Sequence, residues 1–492
     1  MARLEETNRQ EKPREHCGVL GILCDDKSQH VAKYVYTGLM ALQHRGQEAA
    51  GIAITDPYKP ITVIKENGLV NSVLKPSKIR GLLGNVALGH VRYGTVASSS
   101  VENAQPFLYE SNEVNFAIAF NGTITNYNIL RKKLESKGHV FTTDVDTEVI
   151  ATIIAATHAV THDWTEIFTI LMKILDGSFS IILMTENGDL YALRDPLGFK
   201  PLCIGSFMIG DEEKIEVKVL ASETCAIDAL SGRVLAHVKP GEIVHVEYNN
   251  GIHTETILKA PQKAFCFFEF VYFANAASEL DGISVYDVRK RLGAILARKN
   301  RINSDNTIVV PCPDSGRSAA LGYAQSAHLP FEEGLMKNRY ITRTFIMPGQ
   351  DQRRSLVNLK LTPVKKIIKG KDVILIDDSI VRGTTTRKIV RLLKQHGARS
   401  VHLRISCPPI RYPCYMGIDF PTREELIAAN LTVDEICKNI GADSLVYQEM
   451  DGLLEAIGID ATGLCTACLN SKYPLKNPPQ LEILEDSFTK NR

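Results

Sequence analysis

The segment that decides the fold of the second half of the chain is Val373-Ile374-Leu375-Ile376-Asp377-Asp378-Ser379-Ile380-Val381-Arg382-Gly383-Thr384-Thr385-Thr386. Its first four residues are aliphatic and predict a buried strand, which ends in two carboxylates. The Gly-Thr-Thr-Thr sequence predicts a loop that opens a helix, where backbone N–H groups and hydroxyls can hold a phosphate group. Adjacent carboxylates at the end of a strand can hold ribose hydroxyls or a divalent cation.

The alternative for this segment is an ordinary strand-to-helix crossover with a capped helix. A kinase-type P-loop has no support, because the chain contains no G-x-x-x-x-G-K-[ST] sequence. The combination of an acidic pair with a phosphate loop favours a phosphate site over plain packing.

Around this segment, apolar strand patterns alternate with amphipathic helix patterns. The alternation predicts a parallel sheet wound with crossover helices, which is an α/β arrangement. The predicted strands cover residues 307–310, 373–376 and 400–405, and the predicted helices cover 285–299, 318–327 and 384–396.

The first half of the chain, from Cys17 to about Leu258, has a different pattern. Short apolar runs predict strands, and longer amphipathic stretches between them predict helices, so this half is expected to be α+β. The expected strands include residues 19–23, 86–88, 115–120 and 179–183, and the expected helices include 126–137 and 147–158.

Length and composition limit the class of protein. A chain of 492 residues exceeds what one core usually supports, so we expect two domains. A formal charge of +1 and a mean hydropathy of -0.06 give no support for nucleic-acid or membrane partners. The first sixteen residues are polar and charged, which favours a cytoplasmic protein whose eleven cysteines are reduced.

Cys17 is a candidate nucleophile, because it follows a short polar segment and opens the first apolar run. If the chain is cleaved before it, the free α-amino group can act as the base for its own thiol. A lone cysteine at this place is more often a small buried hydrophobe, so the assignment depends on other residues. Four polar clusters lie downstream, at residues 43–48, 89–95, 120–123 and 143–148.

Together with Cys17 these clusters resemble the glutaminase domain of the N-terminal-nucleophile amidotransferases, over residues 17–258. The resemblance implies that Arg92 holds the α-carboxylate of glutamine and Asp146 its α-ammonium. It also implies that Asn121 and the Gly122 N–H form an oxyanion hole. Singly, these residues could be a surface ion pair, a helix N-cap and a plain turn. Phe120 departs from the family, which commonly has histidine there.

The second half, over residues 276–460, resembles the type I phosphoribosyltransferases. Pro313 to Arg317 resembles their pyrophosphate loop, and Lys337 to Phe345 resembles their flexible lid, with Thr342 where the family usually has glycine. The resemblance implies a Mg²⁺ site at Ser315, Asp377 and Asp378. The residues expected to bind phosphoribosyl pyrophosphate (PRPP) are Asp377, Asp378, Ser379, Arg382, Gly383, Thr384, Thr385, Lys337 and Arg343.

The whole chain therefore resembles the glutamine phosphoribosylpyrophosphate amidotransferases of purine biosynthesis. This implies a four-layer αββα glutaminase domain of the N-terminal-nucleophile class followed by an α/β type I phosphoribosyltransferase domain. The expected parts are a propeptide at 1–16, the glutaminase at 17–258, a linker at 259–275, the transferase at 276–460 and an arm at 461–492. Expected partners are glutamine, PRPP, purine nucleotides as feedback inhibitors, and further copies of the chain in a dimer or tetramer.

Two other functions stay open at this point. One is a glutamine amidotransferase with another acceptor, such as a hexosamine-phosphate synthase, although the Asp377-Asp378 loop argues against it. The other is a non-catalytic sensor of PRPP or nucleotides. The intact set of glutaminase residues argues against it, namely Cys17, Arg92, Asn121 and Asp146.

Four of the remaining cysteines match the cluster ligands of the family that the chain resembles. They are Cys266, Cys414, Cys465 and Cys468. Four thiolates suit either a [4Fe-4S] cluster or a structural zinc ion, and the flanking sequences favour iron–sulfur.

Overall fold

The computed structural model describes residues 17–57, 59–93, 100–210, 214–300, 302, 305–338, 361–418, 420 and 422–475. The predicted propeptide at 1–16, Gly94, Thr95 and the predicted lid from residue 339 onward, including Thr342 and Arg343, lie outside these ranges.

The first half consists of two sheets and the helices that cover them. The strands are β1 Gly18–Cys24, β2 Ala49–Thr55, β3 Thr62–Asn67, β4 Val86–Arg92, β5 Phe107–Tyr109, β6 Phe116–Ile124, β7 Gly177–Thr185, β8 Leu190–Arg194, β9 Cys203–Ile209, β10 Ile215–Ala221, β11 Arg233–His237, β12 Glu242–Glu247 and β13 Gly251–Thr256. The helices are α1 Ala32–Ala41, α2 Val70–Val73, α3 Pro76–Arg80, α4 Tyr127–Glu135, α5 Asp146–His158, α6 Trp164–Ile174 and α7 Thr224–Asp228, with a 3₁₀ turn at Val101–Asn103.

The two sheets pack face to face. Their strand orders are β11-β9-β10-β1-β4-β2-β3 and β13-β12-β8-β7-β6-β5. Alternate residues of β1 show the layering, because Val19 faces the core between the sheets whereas Leu20 faces the core under α1. Helices α5 and α6 cover the other sheet through a third core. The four-layer αββα prediction is therefore confirmed.

The second half is built around one parallel sheet. Its strands and those at its margins are β14 Phe265–Cys266, β15 Glu279–Leu280, β16 Ile283–Ser284, β17 Thr307–Pro311, β18 Leu335–Lys337, β19 Leu361–Pro363, β20 Asp372–Asp377, β21 Ser400–Ile405, β22 Ser444–Tyr447 and β23 Leu464–Cys465. The helices are α8 Val285–Lys299, α9 Arg317–Ala327, α10 Lys365–Ile368, α11 Thr384–Gln395, α12 Ile427–Asn430, α13 Val433–Ile440, α14 Met450–Ile457 and α15 Ala467–Asn470, with a π-helical turn at Glu269–Phe273 and a 3₁₀ turn at Arg423–Glu425.

The central sheet has the order β17-β20-β21-β22, and every pair in it is parallel. The predicted α/β arrangement is therefore confirmed, and α8 and β21 have the predicted bounds. Ser284 caps α8 by accepting a hydrogen bond from the Asp287 N–H, which explains why the sequence indicates that boundary. In the part of the chain that is described, no helix is long and apolar enough to span a bilayer.

Three contacts lie next to the candidate sites, and the second and third of them join the two halves. Cys266 and Cys465 are register partners in the short parallel pair β14–β23. Arg194, which is almost wholly buried, forms a bidentate ion pair with Asp281, with Nη1 to Oδ1 at 2.7 Å and Nη2 to Oδ2 at 2.9 Å. The third contact joins Ser178 of β7 to the carbonyl of Met416.

Candidate active sites

Strand register brings the predicted glutaminase residues to one end of the space between the two sheets. Gly18 pairs with Val91, so Cys17 lies beside Arg92 at the end of β4. On β6, Ala117 and Ala119 face the inter-sheet core, so the alternation of side chains puts Asn121 on the same face. The Cys17 thiol accepts a hydrogen bond from the Tyr93 N–H at 3.5 Å.

Buried polar atoms without partners mark this place. Asn121 is fully buried, and among the described residues neither its Oδ1 nor its Nδ2 has a hydrogen-bond partner. The same holds for Nη1 of Arg92, which is 4% exposed. Unpaired buried groups of this kind are costly and rare, so their convergence indicates a binding site for a polar ligand.

The outer edge of β6 presents the Gly122 N–H. On this edge the Phe120 N–H donates to Gln105 Oε1 at 2.7 Å, and the Ile124 N–H donates to Asp146 Oδ2 at 3.0 Å. Since alternate N–H groups of a strand point the same way, the Gly122 N–H faces this edge between them. Glycine is required here, because a Cβ would lie 2.0 Å from the Ser178 oxygen.

Burial controls protonation at this site. It raises the pKa of Asp146, the first residue of α5, to about 6, against the opposing hydrogen bond from Ile124. Burial also raises the pKa of the Cys17 thiol above its ordinary value, although Tyr93 and Arg92 act in the opposite direction. The thiol is therefore protonated at rest and needs a base to become a nucleophile.

The structure adds Arg45 to this site, a residue that the sequence motifs indicate only as one member of the 43–48 cluster. Arg45 Nε donates to the Cys17 carbonyl at 3.1 Å, and its guanidinium is ion-paired with Glu223 and Glu269. Both partners are buried and come from distant parts of the sequence, so no local pattern points to them.

His90 is a second addition, and it belongs to the 89–95 cluster. Its Nε2 lies 3.2 Å from the Phe120 carbonyl, and burial lowers its pKa to about 3. The ring is therefore neutral, with Nε2–H as the donor. It supports the peptide that precedes Asn121.

The predicted acidic pair lies at the end of β20, as expected. Asp377 and Asp378 are each 1% exposed. The Asp378 carboxylate accepts from the hydroxyls of Ser379 at 2.6 Å and of Ser315 at 2.5 Å, so the pyrophosphate-loop serine and the acidic pair are in contact. This all-oxygen donor set fits Mg²⁺.

The predicted phosphate loop lies immediately before a helix, as the sequence indicates. Gly383, at φ +77°, precedes α11, a helix of 12 residues that begins at Thr384. The Thr384 hydroxyl is buried and without a partner among the described residues, and Thr385 follows it in the first turn. Hydroxyls and helix N–H groups therefore meet at one point.

Two predicted cations of this site have protein partners. Arg382 Nε donates to Glu425 Oε2 at 2.8 Å, and Lys337 Nζ donates to Asp314 Oδ2 at 2.7 Å. Their roles in substrate binding stay predictions, and they require these ion pairs to open.

The four predicted cluster cysteines line one cavity. Cys266, Cys414, Cys465 and Cys468 share it with Lys200, and apolar residues complete its wall. The Met416 N–H donates to Cys414 Sγ at 3.3 Å. Within the described ranges, no three His, Cys, Asp or Glu side chains are arranged to hold a single metal ion.

Comparisons with known proteins identify the family of each half. A glutamine amidotransferase domain model matches residues 90–229, and a phosphoribosyl transferase domain model matches residues 284–413. An amidophosphoribosyltransferase from Methanocaldococcus jannaschii is 46% identical over 473 residues, which cover 93% of this chain and 97% of the relative. The chain belongs to the amidophosphoribosyltransferase family.

Other members of the family extend the comparison. A chloroplastic amidophosphoribosyltransferase from Glycine max is 43% identical, over 96% of this chain and 80% of the relative. A solved structure described as the allosteric regulatory enzyme of purine biosynthesis has a TM-score of 0.86 at 40% identity, over 94% of this chain and 97% of that one. The glutamine PRPP amidotransferase of B. subtilis, complexed with ADP and GMP, has a TM-score of 0.85 at 39% identity, over 95% of this chain and 100% of that one. This chain is thus an amidotransferase of purine biosynthesis, and the other two functions lose their support.

The raised pKa of Asp146 predicts how glutamine use depends on pH. Below about pH 6 this carboxyl becomes protonated and loses its attraction for an α-ammonium group, so the KM for glutamine should rise roughly tenfold between pH 7 and pH 5. Asp146→Asn should have a high KM without this titration. Asp144→Asn, which changes an exposed carboxyl two residues away, should titrate like the unmodified protein. A pH-independent KM in the unmodified protein would contradict the role of Asp146.

Proposed function

We propose that the chain transfers the amide nitrogen of glutamine to C1 of PRPP, giving 5-phosphoribosylamine, glutamate and pyrophosphate. The convergence of Cys17 with the unpaired polar atoms of Arg92 and Asn121 carries the first half of this proposal. The contact between the acidic pair and Ser315, next to the phosphate loop, carries the second half.

At the first site, Arg92 binds the α-carboxylate of glutamine and Asp146 its α-ammonium. The α-amino group of a mature Cys17 accepts the thiol proton, and the thiolate attacks the amide carbon. Asn121 and the Gly122 N–H stabilise the oxyanion, each donor contributing roughly 3 kcal/mol. The α-ammonium group returns the proton to the amide nitrogen, and ammonia leaves and passes to the second site. Water then hydrolyses the remaining thioester to give glutamate.

At the second site, Gly383, Thr384, Thr385 and Ser379 hold the 5-phosphate, and the acidic pair holds the ribose hydroxyls. Ser315, Asp377 and Asp378 would hold Mg²⁺, which would supply charge stabilisation while ammonia attacks C1 and the pyrophosphate leaves. Lys337 and Arg343 would bind the pyrophosphate once the 337–345 segment closes.

We propose the boundaries given by the resemblance: propeptide 1–16, glutaminase 17–258, linker 259–275, transferase 276–460 and arm 461–492. We also propose that purine nucleotides inhibit the enzyme and that it forms a homo-oligomer. A cytoplasmic location is supported by the eleven cysteines, none of which forms a disulfide.

We propose that the four cysteines hold a [4Fe-4S] cluster, which their flanking sequences favour over a single zinc ion. They surround a cavity together with Lys200, whose charge would offset the negative thiolates, and the Met416 N–H already donates to one sulfur. A cluster at this place would be structural, tying the arm to both halves, because the reaction transfers no electrons.

The maturation proposal predicts the mass of the active protein. An internal amide nitrogen cannot act as a base, so active protein should begin at Cys17. Mass spectrometry of the intact chain measures this. Full glutaminase activity with residue 1 or 2 still attached would show that another group is the base.

The two sites should fail separately. Cys17→Ala should abolish glutamine-driven synthesis and keep ammonia-driven synthesis at high pH, because only the first site uses the thiol. Asp377→Asn with Asp378→Asn should abolish both, since the acceptor is no longer held. Cys24→Ala removes another buried thiol, at the far end of β1, and should keep both activities. Equal loss with both nitrogen donors in Cys17→Ala would contradict the two-site mechanism.

The cluster proposal predicts a brown protein with four iron atoms per chain, since zinc gives no visible absorption. Cys465→Ser should lose the iron and expose the 461–475 segment to proteolysis. Cys437→Ser changes a thiol outside the cavity and should stay brown. A colourless, iron-free protein that is fully active and resists proteases would contradict the assignment.

A further inference from the structure

The 415–417 segment belongs to the second half but lies against the strand that carries the predicted oxyanion donors. The Ser178 hydroxyl donates to the Met416 carbonyl at 2.9 Å, and both residues are buried. Gly417, at φ +95°, approaches so closely that a Cβ would lie 2.8 Å from Thr123 Oγ1.

The residues that receive these contacts are neighbours of Asn121 and Gly122. In the β6–β7 ladder Thr123 is the register partner of Ser178, and Asn121 is the partner of Ser180. The backbone of Ser178 also forms the wall beside Gly122. Any shift of the 415–417 segment would therefore act on β6 within two residues of both donors.

The same segment is fixed at its other side. Met416 donates through its N–H to Cys414 Sγ and lines the cavity of the four cysteines. It is 3% exposed, so packing restricts it in addition to its two hydrogen bonds. Contacts from outside the glutaminase half therefore add to the strand pairing that holds β6 in place.

We propose that Ser178 and Gly417 are positioning residues for glutamine hydrolysis, because they hold β6 where the Asn121 side chain and the Gly122 N–H can bind the oxyanion. This inference rests on the proposed function, which takes those two groups as the donors. Neither Ser178 nor Gly417 is among the residues proposed to bind glutamine. Oxyanion stabilisation depends steeply on distance, so a displacement of about 1 Å is expected to cost up to about a hundredfold in rate.

The test uses the full-length purified enzyme with Ser178→Ala and Gly417→Ala. Gly441→Ala is the matched control for the second change, because Gly441 has a similar φ of +80° and no atom within 4 Å of the added Cβ. Ser206→Ala is the control for the first, since Ser206 is an equally buried serine in the other sheet. The double variant Gly417→Ala with Thr123→Ala removes the atom that the new Cβ would meet.

Two ligands distinguish a displaced oxyanion hole from general damage to the glutamine site. The Cys17 thiol adds across the aldehyde group of L-glutamate γ-semialdehyde. The adduct has a new C–S bond and an oxygen at the place where the oxyanion develops. Glutamate binds through its α-groups without forming such an adduct. We expect the inhibition constant of the semialdehyde to rise about tenfold or more and the kcat for glutamine to fall in parallel, with glutamate affinity and ammonia-driven synthesis nearly unchanged. The double variant should recover part of the loss.

The inference is overturned if both single variants keep the semialdehyde affinity of the unmodified enzyme, or if semialdehyde and glutamate affinities fall by the same factor. Asn121→Ala tests the underlying assignment separately. If it weakens semialdehyde binding while Ser178→Ala and Gly417→Ala do not, the positioning role alone is wrong. If it has no effect while those two variants do, Asn121 is not a donor, and the segment positions the Gly122 N–H alone.

Discussion

The contact between the two halves depends on one buried side chain, Arg45, and on the ion pairs that its guanidinium group forms. It holds the Cys17 carbonyl on one side and the carboxylates of Glu223 and Glu269 on the other. Burial alone would raise the pKa of Glu223 and favour its neutral form. His44 and Arg45 outweigh burial and keep the pKa of Glu223 well below its ordinary value. Removing one partner from such a buried group leaves an uncompensated charge, which typically costs about 3 to 5 kcal/mol. The nucleophile, the first sheet and the second half are therefore mutually fixed.

Much of the fold can be predicted because its local signals agree with its packing. Helix α8 combines an apolar stripe with a serine N-cap, and in β21 apolar residues alternate with polar ones, so the sequence predicts both with their observed bounds. The pair β14–β23 is not predicted, because two-residue strands that lie some two hundred residues apart carry no periodic signal. The pair β15–β16 and the π-helical turn are not predicted either, because each is too short to carry a periodic signal.

Some residues of the candidate sites can likewise be predicted from the sequence, and others cannot. Asp377, Gly383 and Thr384 stand in one continuous segment, so their spacing alone indicates their chemistry. Glu223 and Glu269 have no such context, and their role becomes visible only because the fold places them against Arg45. The ion pair of Arg382 with Glu425 could not be foreseen either, because Glu425 lies in a short 3₁₀ turn without a sequence signature.

The π-helical turn at Glu269–Phe273 shows how closely the two sites share supports. Its first side chain is the partner of Arg45, which holds the residue of the nucleophile. Its Phe270 carbonyl accepts from Arg289 Nε at 2.8 Å, and the following Ala274 carbonyl accepts from Arg289 Nη2 at 2.8 Å. Burial lowers the pKa of Arg289 to about 10, while the charge of Asp378 in the acidic pair acts in the opposite direction. This short turn thus lies between two buried arginines, Arg45 next to the first site and Arg289 next to the second. A movement of the turn would therefore shift both the Cys17 thiol and the carboxylates of the acidic pair.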